Sequence, residues 1–253
     1  MTCQIMEEAV IKGVIFDLGH TLIWICLDAQ EDEVAERGAA DLAAFLVRQE
    51  FALDAAAFSA AFLERRRLFR ERARRERVEY TAEVALRTTL AEFGYPEVEG
   101  QIVTRGLEIF FAPEEAHWKT CPGALSTLQR LSKAGYRLGL ISNASDDAVV
   151  QRLVDKAELR PRFDPIISSA GIGIRKPDPA IFQMALDEWG IAAREAVMIG
   201  DDPEADILGA KLAGMRSILV KRSDDPAGAQ PADIVPDAEV TCLSQLPEVI
   251  ASL

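Results

Sequence analysis

Cysteine is scarce in this 253-residue chain: Cys3, Cys26, Cys121 and Cys242 lie far apart, with no close pair of the zinc-knuckle or redox type. Such scatter fits reduced thiols rather than a disulfide framework. No stretch approaches the roughly 20 apolar residues of a membrane span, and the first residues hold no basic start leading into a long apolar segment. The expectation is a cytoplasmic protein that meets no membrane. Basic charge is also short, since 28 Lys and Arg against 41 Asp and Glu leave a formal charge of -13. General nucleic-acid binding needs a basic surface to neutralise phosphates and is not expected. A protein this acidic needs a cation where it meets an anion. No long low-complexity tract occurs, and 49% hydrophobic with 27% charged residues is ordinary globular usage.

What is present begins with Val14-Ile15-Phe16-Asp17-Leu18-Gly19-His20-Thr21-Leu22, an apolar β-prone run that stops at a carboxylate and a short polar turn. It reads as a buried parallel strand delivering Asp17 to the carboxyl edge of a sheet, where open α/β folds bind ligands. An aspartate there also serves as a turn or helix-cap residue. The theme recurs. Arg137-Leu138-Gly139-Leu140-Ile141 delivers Ser142 and Asn143, a small hydrogen-bonding pair suited to an anion and equally to a turn before the helix carrying Val149, Val150, Leu153 and Val154. Phe163–Ile167 is a third predicted strand. Beyond it the loop from Gly171 to Pro179 presents Lys176 between Arg175 and Pro177. Ala196-Val197-Met198-Ile199-Gly200 then ends in Asp201 and Asp202, with Asp206 four residues beyond Asp202. Two acidic strand ends in one sheet are costly unless a cation lies between them, and magnesium suits a few carboxylates, a carbonyl and a substrate phosphate. Strands at Ser217–Val220 and Glu239–Cys242, a polar loop over 223–236 and a closing helix from Leu243 complete the pattern.

Between the first two strands stand about 95 residues of helical periodicity, far more than an ordinary crossover. Apolar positions at Val34, Leu42, Phe45, Leu46, Phe58, Phe62, Phe69, Val84, Leu90, Ile102, Leu107, Phe110 and Phe111 predict four or so helices. The boundaries read as a core over 1–22 and 119–253 with a helical insertion over 23–118. Within the insertion, Arg65 to Arg77 is a strongly basic block. Its arginines pair with glutamates three or four residues away, or one or two of them face an anionic substrate.

In order and spacing, these stations resemble the haloacid dehalogenase-like superfamily, the branch with a helical cap inserted after the first motif. Arg-Lys-Pro-Asp-Pro-Ala-Ile-Phe at 175–182 and Gly-Asp-Asp-Pro-Glu-Ala-Asp-Ile-Leu-Gly-Ala at 200–210 are the most specific parts. The resemblance implies an α/β, Rossmann-like parallel sheet core and a magnesium-dependent phosphatase acting on a small phosphorylated substrate. It makes Asp17 the nucleophile that forms an aspartyl-phosphate, with Ser142, Asn143 and Lys176 holding the phosphoryl group. It assigns Mg2+ to Asp17, the carbonyl of Gly19 and Asp201, with Asp206 and Asp202 behind them. Positioning and charge neutralisation are what phosphoryl transfer demands.

One position departs from the family pattern. Phosphatases of the superfamily carry a second aspartate two residues after the nucleophile, where this chain has Gly19, so a leaving group meets no carboxylic acid. His20 is the conceivable substitute acid or base. Relatives lacking that aspartate open other readings: a phosphonate hydrolase, which needs a cap lysine absent between Trp24 and Trp118; a metal-free haloacid dehalogenase, whose last motif usually departs from Gly-Asp; and a ligand-binding or scaffold module.

Overall fold

The computed structural model describes residues 10–25, 31–221 and 233–253. Cys3, Cys26 and residues 223–232 of the expected polar loop lie outside them. Strand β1 (Gly13–Phe16) is followed by β2 (Ile23–Ile25), helices α1 (Glu31–Arg48), α2 (Ala55–Glu76), α3 (Ala82–Glu92) and α4 (Gly100–His117), and strand β3 (Trp118–Thr120). Next come α5 (Ala124–Lys133), β4 (Arg137–Ser142), α6 (Asp147–Lys156), β5 (Ile166–Ser168), α7 (Ser169–Ile172), α8 (Pro179–Trp189) and β6 (Ala196–Gly200). A π turn at Pro203–Leu208 leads into α9 (Gly209–Ala213), β7 (Arg216–Val220), β8 (Ala238–Val240) and α10 (Leu246–Ala251).

Six strands form one parallel sheet in the order β5-β4-β1-β6-β7-β8. The chain builds outward from β1 to β4 and β5, then returns to the other side of β1 to build β6, β7 and β8. Connections therefore diverge between β1 and β6, which opens a crevice at their carboxyl ends. Phe16 stands opposite Ile199, and the amide of Asp17 donates to the Ile199 carbonyl at 2.9 Å. The two acidic strand ends are thus neighbours at the switch point.

Side-chain alternation along β1 splits the core into two layers. Val14 and Phe16 join Leu128 and Leu131 of α5, Val150 and Val154 of α6 and Ile250 of α10. Ile15 faces the opposite way, with Ile141 and Met198, onto Phe182, Leu186 and Trp189 of α8. Trp189 is a core residue, its indole N–H satisfied by the Asp164 carbonyl at 2.7 Å.

Helices α1 to α4 lie between β2 and β3, which pair antiparallel as a two-stranded ribbon through which the chain leaves and re-enters the sheet region. Phe58, Phe62, Leu42, Leu46 and Leu86 are fully buried among these helices. Truncating one such phenylalanine to alanine costs about 3–5 kcal/mol. Asp54 starts α2 by accepting from the Ala57 amide at 2.7 Å, and Arg77, in the left-handed region at φ 57, ends it.

Several local expectations shift. Strand β5 starts at Ile166 rather than Phe163, because Pro165 has no N–H to give a ladder. The first residues of the loop at 171–179 belong to α7, a single turn capped by Ser168 Oγ. Asp146, not Ser142 or Asn143, caps α6, accepting from Val149 N at 3.0 Å. Val84 is exposed while Ala85 and Leu86 are buried. Around α9, Leu212 is exposed while Ile207 and Ala210 are buried. The π turn at Pro203–Leu208 widens the helix by a residue and rotates α9 out of the 3.6-residue phase.

Candidate active site

Asp17 ends β1 and is buried. Lys176 arrives from the loop before α8, and its ammonium lies 2.6 Å from Asp17 Oδ1, 2.6 Å from Asp206 Oδ1 and 2.9 Å from the Ile141 carbonyl. Three donors thus meet three acceptors, with the lysine only 2% exposed. The sequence presents Lys176 as a loop charge; the fold buries it as the hub of the strand ends. Burial alone favours the neutral amine, but the charges and hydrogen bonds of Asp17 and Asp206 outweigh it and push the lysine pKa up.

Asn143 holds that loop from β4. Its carboxamide nitrogen donates to the Lys176 carbonyl and its oxygen accepts from the Lys176 amide, both at 2.9 Å. Asp202 is similarly engaged, its Oδ1 accepting from the amides of Glu204 and Ala205 as the cap of the π turn. Asp206 returns toward the strand end, where its Oδ2 accepts from Asp202 N at 3.1 Å. A Cβ on Gly200 would lie 2.0 Å from Asp206 Oδ2, so the glycine is what admits this carboxylate. Thr21 donates to Asp201 Oδ1 at 3.2 Å.

Carboxylate oxygens of Asp17, Asp201 and Asp206 lie within 4.8 Å of one another. Three carboxylates share one ammonium, and the surplus negative charge shows in their acidities. Burial pushes Asp17 up to about 6, with Lys176 opposing and Asp201 adding to the rise. Burial, then the charge of Asp206, pushes Asp201 up to about 7. Asp206 is likewise pushed up to about 7 by burial, against the pull of Lys176. A hard dication is the group that relieves such a surplus, so the donor set fits magnesium.

All the site residues expected from the sequence, including Ser142, Asn143, Gly19 and His20, line one cavity of about 530 Å³, within the range of small-molecule sites. His20 sits in the left-handed region at φ 60, and its ring lies 5.3 Å from that of Trp118. The α2–α3 connection docks beside the lysine loop. Glu79 N donates to the Gly173 carbonyl at 2.9 Å, Ser169 Oγ donates to Glu79 Oε2 at 2.8 Å, and Arg175 pairs with Glu79 at 3.3 Å. Burial raises the Glu79 pKa, with Arg175 opposing.

The family model for haloacid dehalogenase-like hydrolases matches residues 11–214. The chain belongs to this family. It is 35% identical over 158 residues to a phosphoserine phosphatase of Thermus thermophilus, covering 62% of this chain and 57% of that protein. It is 29% identical over 211 residues to a glyceraldehyde 3-phosphate phosphatase of Pyrococcus furiosus, covering 83% and 81%. The chain thus spans less than two thirds of the Thermus relative's length. Among solved structures, a 2-haloacid dehalogenase from Pseudomonas syringae superposes with a TM-score of 0.70 at 31% identity, covering 96% of this chain and 99% of that one. A phosphatase of the family from Thermococcus onnurineus shares the fold, with a TM-score of 0.64 at 20% identity.

Within this haloacid dehalogenase-like chain, sequence reasoning passed over Thr21, Trp118, Glu79 and Ser145. Each is an ordinary polar or aromatic residue in the sequence and gains its place only from the packing of the insertion on the strand ends. Arg66, Arg70 and Arg74 also line the cavity, and their four-residue spacing inside the basic block was the signal that could have singled them out.

Proposed function

We propose that the chain is a magnesium-dependent phosphatase of small phosphorylated metabolites, working through an aspartyl-phosphate on Asp17. The observation that carries this reading is the Lys176 ammonium bridging Asp17 and Asp206, with Asp201 alongside, at the switch point of the sheet. A carboxylate oxygen of Asp17 attacks phosphorus, the bond from phosphorus to the leaving oxygen breaks, and water later cleaves the acyl phosphate. Lys176 and Ser142 bind the phosphoryl oxygens, and Asn143 fixes Lys176 through its backbone. Asp17, the Gly19 carbonyl and Asp201 would hold magnesium, which supplies neutralisation of the charge on the transferred group. Asp206 anchors the lysine, and Asp202 holds the turn that brings Asp206 back. With Gly19 in place of an acid, the leaving oxygen departs as its own anion or takes a proton from His20, so acyl and aryl phosphates are the favoured substrates. The insertion over 23–118 acts as a cap hinged at the β2–β3 ribbon, closing over Asp17 and excluding water. The working compartment is the cytoplasm.

A second reading, a haloacid dehalogenase with Asp17 attacking carbon and halide leaving, is favoured by Gly19 and by the 31% identity to the Pseudomonas syringae structure. The surplus of carboxylates beside Asp17 weighs against it, since displacement of halide gains nothing from a dication site. Phosphate release from a panel of phosphorylated metabolites and aryl phosphates, run beside halide release from 2-haloacids, separates the two. Phosphate release that needs magnesium and is lost in Asp201→Asn is expected. Halide release indifferent to Asp201→Asn overturns the phosphatase reading, and neither product leaves the fold as a binding or scaffold module.

A further inference from the structure

The arginines of α2 divide by face. Arg67 pairs with Glu64 at 2.7 Å and Glu71 at 2.5 Å, Arg72 with Glu76 at 3.0 Å, and Arg65 with Glu92. Arg66, Arg70 and Arg74 form no ion pair within 4.0 Å among the described residues. Their spacing puts them in one row, and the row lines the cavity that holds Asp17 and Lys176. Arg66 is only 8% exposed, and its ring and hydrogen-bond contacts are uncharged: the guanidinium lies 4.4 Å from the Phe110 ring centre and 5.0 Å from that of Phe111, and donates to Ser145 Oγ at 3.2 Å. Burial and the charge of Arg70 push Arg66 down to about 10, against the weaker pull of Glu114 and Asp146. Those two acids are engaged elsewhere, Glu114 by the Trp118 indole at 3.3 Å and Asp146 by the Val149 amide.

A row of like charges four residues apart is self-repelling, and a buried cation with no carboxylate in ion-pair contact is costly. Both costs are relieved by an oxyanion, whose geometry the guanidinium fork matches. We infer that the substrate carries a second anionic group, a carboxylate or a further phosphate, remote from the phosphoryl group, and that Arg66, Arg70 and Arg74 bind it. The assignment of the other end to the phosphoryl group rests on the reading of Asp17 and Lys176 above.

Calorimetric titration with three benzylphosphonates, bearing a para carboxamide, carboxylate or phosphonomethyl group, tests this without turnover, because their carbon–phosphorus bond replaces the scissile ester. At least one anionic probe is expected to bind about tenfold or more tightly than the carboxamide, in keeping with one charge-assisted Arg contact. Whichever anion gains more identifies the group recognised. Arg70→Gln/Arg74→Gln, at solvent-facing positions, should bring the three probes within about twofold of one another. Arg66→Gln should do the same, and if that variant does not fold, the double variant decides. Equal affinities in the wild type, or an anion preference that survives the double variant, overturns the inference. A wild type that shows the preference yet releases no phosphate from 4-carboxyphenyl phosphate leaves the inference standing and removes the phosphatase reading instead.

Discussion

Lys176 and Arg66 are buried cations lining one cavity, but Lys176 on the strand ends touches two carboxylates and a carbonyl, whereas Arg66 on the helical side touches two aromatic rings and a hydroxyl. The strand ends carry an excess of negative charge and the α2 face an excess of positive charge. A dication suits the first and an anion the second, so the cavity is electrically polarised between its two walls. The difference also teaches what each wall costs to disturb. Charges at the strand ends hold one another in place, whereas Arg66 is held by hydrophobic packing and cation–π contact.

Breaking the lysine hub should have the largest effect. Lys176→Met leaves Asp17 and Asp206 buried without their cation, a loss of about 3–5 kcal/mol by analogy with other severed buried pairs. The carboxylates' pKa values rise further without the ammonium, so urea denaturation should show the loss growing as pH rises from about 5 to about 8. A pH-independent loss would mean that packing, not charge, is what Lys176 supplies.

Gly19→Asp sharpens the chemical side of the same wall. A Cβ there would sit 3.5 Å from Trp118 Cη2, an ordinary contact, and Gly19 is not among the glycines in the left-handed region. The added acid should raise turnover of alkyl phosphates by about 10²-fold, the usual size of proton-transfer assistance. Fast wild-type turnover of alkyl phosphates with no gain from Gly19→Asp would point to His20 as the working acid.

Magnesium should read the surplus charge directly. With pKa values raised to about 6 and about 7, Asp17 and Asp201 would shed protons as a cation binds. The melting-temperature rise caused by magnesium should therefore be larger at about pH 8 than at about pH 5.5. Metal-free protein should behave in the opposite sense. With these pKa values raised above the ordinary 3.8, the native state holds more protons than the unfolded chain, so stability falls as pH climbs from about 4 through about 7. Equal magnesium shifts at both pH values would remove the carboxylates from the metal site.

The smallest effect belongs to the outward face of α2. Arg67→Gln breaks exposed pairs to Glu64 and Glu71 and should leave the thermal or urea unfolding midpoint almost unchanged. A larger loss would show that this arginine face is a stabilising network, and the contrast with Arg66, Arg70 and Arg74 would narrow.

Much of the sheet-edge site was legible because each of its residues is tied to a strand end or a fixed-spacing motif. An apolar run ending in Asp17, another ending in Asp201, and a proline-flanked Lys176 are local patterns that the α/β topology then assembles. Asn143 was legible as a member of the site but not in its contacts, since its use on the Lys176 backbone depends on how two distant loops meet. The π turn before α9 gave no periodic signal, so the exposure of Leu212 could not be read from spacing.

By itself the sequence determined the chemistry available and its order along the chain: strand-ending carboxylates, a lysine loop, a missing second acid at Gly19 and an arginine block inside an acidic protein. Only the tertiary structure decided that Lys176 is buried between Asp17 and Asp206, and which arginines of α2 have carboxylate partners. Motif residues are fixed by backbone direction and spacing, which are local. Burial and charge pairing arise between segments far apart in the chain, and they exist only once the helices pack over the sheet edge.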